Sequence, residues 1–219
     1  MLCILQSRMS SKRLPGKMLM NLEGRVLIGR VIDRLAKAQK ISEIVVATSN
    51  DPSDDAIEEF CALEKIKCYR GSLNNVSNRF MEVVIAEKVT SFVRINGDSP
   101  FMDPSLVDLA ISYFDLGNCD LVTNVGIRTF PKGQSVEVIL AETFIRECKN
   151  VLTEEQKEHV TKFFYDRPDK YRIVNFTSGG DYNSLNMCVD TLEDKFQVEA
   201  VLRKLDGDFI SWKGLISFF

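Results

Sequence analysis

The stretch Arg8-Met9-Ser10-Ser11-Lys12-Arg13-Leu14-Pro15-Gly16-Lys17, entered from the apolar run Leu2-Cys3-Ile4-Leu5, decides how this 219-residue chain is read. The apolar run predicts a buried first strand. A loop leaving the end of such a strand lies where open α/β sheets bind ligands. Arg8, Arg13 and Lys17 suit an anion clamp, and Gly16 lets backbone N–H groups approach phosphate oxygens closely. The whole chain is acidic, with formal net charge -3 at pH 7, so this basic cluster is a local reversal of sign. Leu14-Pro15 restrains the backbone inside it. The alternative is a solvated basic loop. Neither a G-x-x-x-x-G-K-[ST] loop nor a G-x-G-x-x-G turn is present.

Outward from that loop, strand and helix signals alternate. Ile28, Val31, Ile32, Leu35 and Ala38 recur at helical spacing, and residues 43–48 read as a buried parallel strand. Asp51-Pro52 opens a helix, 67–70 a third strand, 76–88 another helix and 91–95 a fourth strand. Asp103-Pro104 caps a helix that runs to Asp115. Repeated βαβ units of this kind predict a mostly parallel, three-layer α/β sheet with right-handed crossovers. The pattern changes after Leu121-Val122. Residues 135–140 alternate like a strand, Thr153-x-x-Gln156 forms a capping box, and 171–176 and 185–189 are extended. Asp190-Thr191-x-x-Asp194 then starts the last helix.

A hydrophobic content of 45% with 27% charged residues is that of an ordinary soluble globular protein. The mild acidity argues against nucleic-acid or membrane-surface binding. Cys3, Cys61, Cys68, Cys119, Cys148 and Cys188 lack C-x-x-C spacing and read as reduced, small apolar residues, which suggests the cytoplasm. With His159 as the only histidine, no zinc site is expected. No apolar segment is long enough to cross a membrane. The apolar end, Leu215 to Phe219, is expected to pack on the body or on a partner subunit.

Asp98, in Arg94-Ile95-Asn96-Gly97-Asp98-Ser99-Pro100, sits in a turn forced by Gly97 and Pro100 at the end of the fourth strand. Asp190 follows a later extended run in the same way. Two strand-end carboxylates suit Mg²⁺ held against substrate phosphates. The alternative is that each aspartate merely caps its turn or helix.

These residues together resemble the cytidylyltransferases of the spore-coat polysaccharide and acylneuraminate type, relatives of the CMP-sialic acid and CMP-Kdo synthetases. Residues 6–19, Gln-Ser-Arg-Met-Ser-Ser-Lys-Arg-Leu-Pro-Gly-Lys-Met-Leu, match the family signature Q-A-R-M-x-S-x-R-L-P-G-K-x-L. Asn96-Gly97-Asp98-Ser99-Pro100 matches its metal-binding turn. Gly71-Ser72 with Arg79, Glu158-His159-Val160-Thr161 and Val189-Asp190-Thr191-Leu192-Glu193-Asp194 follow in family order. The resemblance implies a nucleotide-diphospho-sugar transferase fold, Rossmann-like, with a small inserted acceptor-side or dimerisation lobe. It divides one domain, 1–219, into a nucleotide-binding part (about 1–122), an acceptor-side part (about 123–185) and a metal-site strand with C-terminal helix (about 186–219).

It further implies CTP and Mg²⁺, a small anionic sugar or polyol acceptor, and a homodimer. Gln6, Arg8, Ser11, Arg13, Lys17, Gly71, Arg79, Asn96 and Asp98 are assigned to the nucleotide. Arg8, Lys17 and Asp98 carry catalysis, and Asp98 with Asp190 holds the metal. Asn124, Glu137 and His159 are candidates for the acceptor. For His159 the alternative is a packed or hydrogen-bonded residue, and for Glu137 an outward residue of an alternating strand. Phe163, Phe164 and Tyr165 are expected in the core or at a subunit interface.

The departures fall away from the phosphate loop. Leu73, Asn74, Asn75 and Asn78 follow Gly71-Ser72 where acidic residues are usual. Lys132-Gly133-Gln134-Ser135-Val136-Glu137 replaces Asp-Gly-x-Asp-x-Glu, and Asn186 replaces arginine. They bear on the acceptor. Competing functions are a UTP- or GTP-dependent nucleotidyltransferase, a glycosyltransferase of similar fold, or a non-catalytic nucleotide-binding module. The glycosyltransferase reading needs Asp-x-Asp at a strand end, whereas Asp206-Gly207-Asp208 follows a helix.

Overall fold

Leu2–Gln6 forms β1, whose side chains alternate between two apolar layers, Cys3 and Leu5 entering one and Leu2 and Ile4 the other. A strand covered on both faces must be apolar throughout, which is how this run reads. The computed structural model describes residues 1–150, 152–205, 207 and 209–219. Asp206 and Asp208 of the Asp-x-Asp run lie outside the described residues.

After β1 come a short hairpin, β2 (Asn21–Leu22) and β3 (Arg25–Val26), then α1 (Leu27–Leu35), β4 (Glu43–Ser49) and α2 (Asp55–Glu64). Next are β5 (Lys67–Gly71), α3 (Val76–Ala86), β6 (Ser91–Asn96) and α4 (Pro104–Asp115). The second half adds β7 (Leu121–Thr123), β8 (Glu137–Leu140), α5 (Ala141–Cys148), α6 (Glu154–Glu158) and α7 (Lys162–Asp166). β9 (Ile173–Asn175), α8 (Leu192–Leu205) and α9 (Trp212–Leu215) follow. The caps are local and legible. Asp51 and Asp103 accept the amides of Ser53 and Ser105, each at 2.9 Å, and Thr153 with Gln156 forms the reciprocal capping box.

Seven strands form one sheet in the order β5-β4-β1-β6-β8-β7-β9, with β8 alone running antiparallel to its neighbours. β1 lies between β4 and β6, with Gln6 in register with both Ala47 and Asn96. The strand order reverses at this point, so the crevice of the α/β sheet opens at the carboxyl end of β1. α1, α4 and α8 pack on one face around Val31, Val107 and Val198. α3, α5 and α7 pack on the other around Phe80, Phe144 and Phe163. Phe92 of β6 meets Phe144 edge-on at 5.2 Å, and Phe163 and Phe164 are fully buried beside them.

Two local expectations are corrected. Residues 185–189 make no strand; Asn186 forms a single parallel bridge with Lys132, and the Val189 amide turns away to the Asp98 carbonyl, so the segment shares its backbone bonds between two partners instead of one ladder. α8 is not the last helix, since Trp212 buries its ring and α9 follows. The apolar end packs on the body: Leu215 is buried, and the Phe219 ring lies edge-on to Phe101 at 5.7 Å. All six cysteines are free thiols.

Candidate active site

The loop after β1 is held from three sides. Ser7 N–H donates to the Ala47 carbonyl at 3.2 Å, and Gly97 N–H to the Gln6 carbonyl at 2.8 Å. A Cβ on Gly97 would stand 2.9 Å from that carbonyl oxygen, so only glycine lets β6 turn this close to β1. Met9 is the pivot. Its carbonyl accepts the amides of Ser11 and Gly16, both at 2.9 Å, and its own amide reaches Asp54 at 2.6 Å. Asp54 is fully buried and also accepts the Ser49 amide at 3.0 Å and the Ser49 hydroxyl. Gly16 takes the left-handed conformation, φ 75°, that folds the basic loop back over the sheet edge.

Folded this way, the loop delivers two of its cations, Arg13 and Lys17, to two carboxylates. Lys17 Nζ donates to Asp98 Oδ2 at 3.0 Å, Asp190 Oδ1 at 2.8 Å and the Val189 carbonyl at 2.8 Å. Burial opposes the Lys17 charge, yet Asp98 and Asp190 outweigh it and raise its pKa. Burial likewise pushes Asp190 up, but Lys17 and Arg13 more than offset this and hold it below the usual carboxylate range. Arg13 reaches Asp190 Oδ2 at 2.8 Å from a mostly exposed position, and Arg8 lies 3.2 Å from Glu158 across the cleft. Among the described residues, neither the Asp98 nor the Asp190 carboxylate accepts a backbone amide. Thr191 and Asp194 cap α8 instead, with the Asp190 amide itself bonded to Asp194. Both carboxylates are instead held by cations, Lys17 on each and Arg13 on Asp190, with the Ser99 hydroxyl donating to Asp98 Oδ1 at 3.3 Å.

The floor of the cleft is organised by Arg94. It donates to Gln6 Oε1 at 3.0 Å, Asn96 Oδ1 at 3.2 Å and Glu137 Oε2 at 2.5 Å. Tyr165 donates to the other Glu137 oxygen at 2.6 Å, and burial followed by the Glu137 charge pushes the phenol pKa up, keeping it a donor.

A cleft of about 390 Å³ collects Gln6, Arg8, Ser11, Arg13, Lys17, Asn96, Asp98 and Asp190, with Glu158 and His159 at the opposite wall. His159 is exposed there, not packed. Gly71 lines a neighbouring cavity of about 770 Å³ with Ser72 and Asn78. Arg79 lies beneath that wall, fully buried, with NH1 on the Ser72 carbonyl at 3.0 Å. Its remaining N–H groups have no partner among the described residues, and burial pushes its pKa down to about 10. Besides Gly71 and Arg79, two more sequence-derived candidates lie outside the cleft. Asn124 is buried between the Gln134 carbonyl and the Val136 amide, and both Glu137 oxygens are committed to Arg94 and Tyr165. Arg94 and Asp54 position the site without having been singled out in the sequence.

The family model for cytidylyltransferases matches residues 2–208. The chain belongs to the cytidylyltransferase family. It is 32% identical over 211 residues to the spore coat polysaccharide biosynthesis protein SpsF of Bacillus subtilis, covering 93% of this chain and 86% of that one. It is similar in fold to a cytidylyltransferase structure from Leptospira borgpetersenii, with TM-score 0.94, 24% identity and coverage of 99% and 92%. It is also similar to a CMP:2-keto-3-deoxy-manno-octonic acid synthetase solved with CTP, with TM-score 0.70, 15% identity and coverage of 93% and 98%.

For a cytidylyltransferase, the donor set at Asp98 and Asp190 fits a divalent metal. The two carboxylates already converge on one cation, the Lys17 ammonium. Among the described residues no third His, Cys, Asp or Glu joins them. A hard, oxygen-ligated ion completed by substrate phosphates and water matches that sparse set.

Proposed function

We propose that this enzyme transfers CMP from CTP to a sugar acid or a phosphorylated sugar or polyol, releasing pyrophosphate, and that the reaction depends on Mg²⁺. The observation that carries the reading is the convergence of Arg8, Arg13 and Lys17 with Asp98 and Asp190 on one cleft at the carboxyl end of β1. The synthetase of similar fold solved with CTP supports the choice of nucleotide.

In the reaction an acceptor oxygen forms a bond to the α-phosphorus while the bond from that phosphorus to the bridging oxygen of pyrophosphate breaks. No covalent enzyme intermediate is needed, so positioning and charge neutralisation do the work. Lys17 and the two arginines bind the triphosphate and balance the charge that builds on the leaving group. Asp98 and Asp190 would hold the metal, which supplies further neutralisation of the phosphate oxygens when bound. Gly16 lets loop amides approach the phosphates. Gln6 and Asn96, oriented by Arg94, line the nucleotide side. Glu158 and His159 face the acceptor side.

We further infer a cytoplasmic homodimer. The six free thiols suit a reducing compartment. Leu109 and Tyr113 on α4, with Leu116 just past its end, leave an exposed apolar stripe that suits a second copy.

The test is pyrophosphate release from CTP and Mg²⁺ across a panel of 2-keto sugar acids and of sugar and polyol phosphates. We expect turnover with one anionic acceptor and its loss in Asp98→Asn. CTP binding without turnover on the entire panel would favour a binding module.

A further inference from the structure

Lys17 uses all three of its N–H donors on the groups that would hold the metal: Asp98 Oδ2, Asp190 Oδ1 and the Val189 carbonyl. Its side chain is 6% exposed, while those of Asp98 and Asp190 keep 23% and 29%. The ammonium thus lies beneath the carboxylates and ties them together from inside the protein. Arg13 approaches Asp190 from solvent, 66% exposed, and can withdraw freely. Lys17 cannot. A buried ammonium that leaves its carboxylates needs other acceptors, or the cost of stranding it is large.

We propose that Lys17 is a built-in counter-ion that keeps a divalent cation off the Asp98–Asp190 pair until a nucleoside triphosphate is present. This rests on reading those aspartates as metal ligands. A divalent ion and an ammonium cannot share two carboxylates without strong repulsion. Triphosphate oxygens remove the conflict in two ways. They give the ammonium new anionic acceptors, and they give the metal the ligands that two aspartates alone do not supply. The exchange asks only for side-chain rotation, since the loop backbone is fixed by Gly16 on Met9 and Met9 on Asp54. Metal and nucleotide then bind as a unit, and metal alone binds poorly.

The test is titration of nucleotide-free protein with Mn²⁺, following free Mn²⁺ by electron paramagnetic resonance. Wild type should bind weakly, and Lys17→Met should bind at least about tenfold tighter, a difference worth about 1.4 kcal/mol. Lys17→Gln, neutral and hydrogen-bonding, should also gain affinity and serves if the methionine variant does not fold. Adding CTP to wild type should bring protein-bound Mn²⁺, separated from free Mn²⁺–CTP by equilibrium dialysis, that Asp98→Asn abolishes. Mn²⁺ affinity in the folded Lys17 variants equal to or below wild type overturns the counter-ion role, even with the Asp98→Asn result intact. Undiminished Mn²⁺–CTP binding in both Asp98→Asn and Asp190→Asn overturns the metal reading, and this proposal with it.

Discussion

Arg94 and Glu137 stand directly opposite each other in the β6–β8 register, and the guanidinium donates to the carboxylate at 2.5 Å beneath the cleft. This cross-strand pair is where the single antiparallel strand of the sheet meets the site. Arg94 spends its other donors on Gln6 and Asn96, so the pair fixes two cleft residues on adjacent parallel strands.

Glu137→Gln should therefore harm both stability and binding. Removing one partner of a buried ion pair costs about 3–5 kcal/mol, and the conservative amide should fall at the lower end. Urea denaturation reads the stability, and calorimetric titration should show weaker CTP binding as Arg94, no longer anchored by a carboxylate, holds Gln6 and Asn96 less firmly. Unchanged denaturation would mean that Arg94 finds another partner.

Asp54→Asn should loosen the basic loop without touching a cation. Asparagine replaces an acceptor oxygen by an NH₂ that confronts the amides of Met9 or Ser49. A loss of about 1–3 kcal/mol is expected from the unpaired buried groups. Hydrogen exchange should accelerate across residues 9–17 before any change in the α1 core.

Gly97→Ala tests the close approach of β6 to β1. The added Cβ would meet backbone, the Gln6 carbonyl oxygen at 2.9 Å, which cannot swing aside as a side chain would. We expect a destabilisation of about 1–3 kcal/mol, the usual range for overpacking. Chemical denaturation checks it, and an alanine variant as stable as wild type would show that the strand ends can separate.

Much of this was written locally in the sequence. The doubly covered strands announce themselves as apolar runs, and Asp51, Asp103 and Thr153 mark helix starts by chemistry confined to three or four residues. The basic loop was legible as a candidate because its cations, proline and glycine are contiguous. Arg94 and Asp54 were not, because their importance lies in partners 88 and 45 residues away along the chain. Asn124 and Glu137 read as polar candidates, but no local pattern tells a buried, fully paired polar group from one that faces a cleft. His159 was ambiguous for the converse reason: its exposure follows from where α6 ends beside Arg8.

The acid limb of stability should be set partly by Asp120 and Glu147. Burial pushes Asp120 up, but the Thr143 hydroxyl and the Arg172 amide and guanidinium outweigh it and lower its pKa. Glu147 is lowered likewise, burial being offset by Tyr171, Arg146 and Arg167. A lowered folded-state pKa gives stabilisation that is complete above the unfolded-state pKa and lost as pH falls through the folded-state value. Urea midpoints should thus be flat with respect to these groups above about pH 6 and should fall below about pH 4. Asp120→Asn should make that decline shallower; an unaltered decline would assign it to other carboxylates.

The most direct measurement is calorimetric titration of CTP, UTP, GTP and ATP, each with and without Mg²⁺, into wild type and Asp98→Asn. We expect Mg²⁺-dependent binding of CTP, at least about tenfold weaker binding of the other three, a gap of about 1.4 kcal/mol, and loss of the Mg²⁺-dependent part in Asp98→Asn. Tighter binding of another nucleotide, or Mg²⁺-dependent CTP binding unchanged in Asp98→Asn, would contradict this expectation.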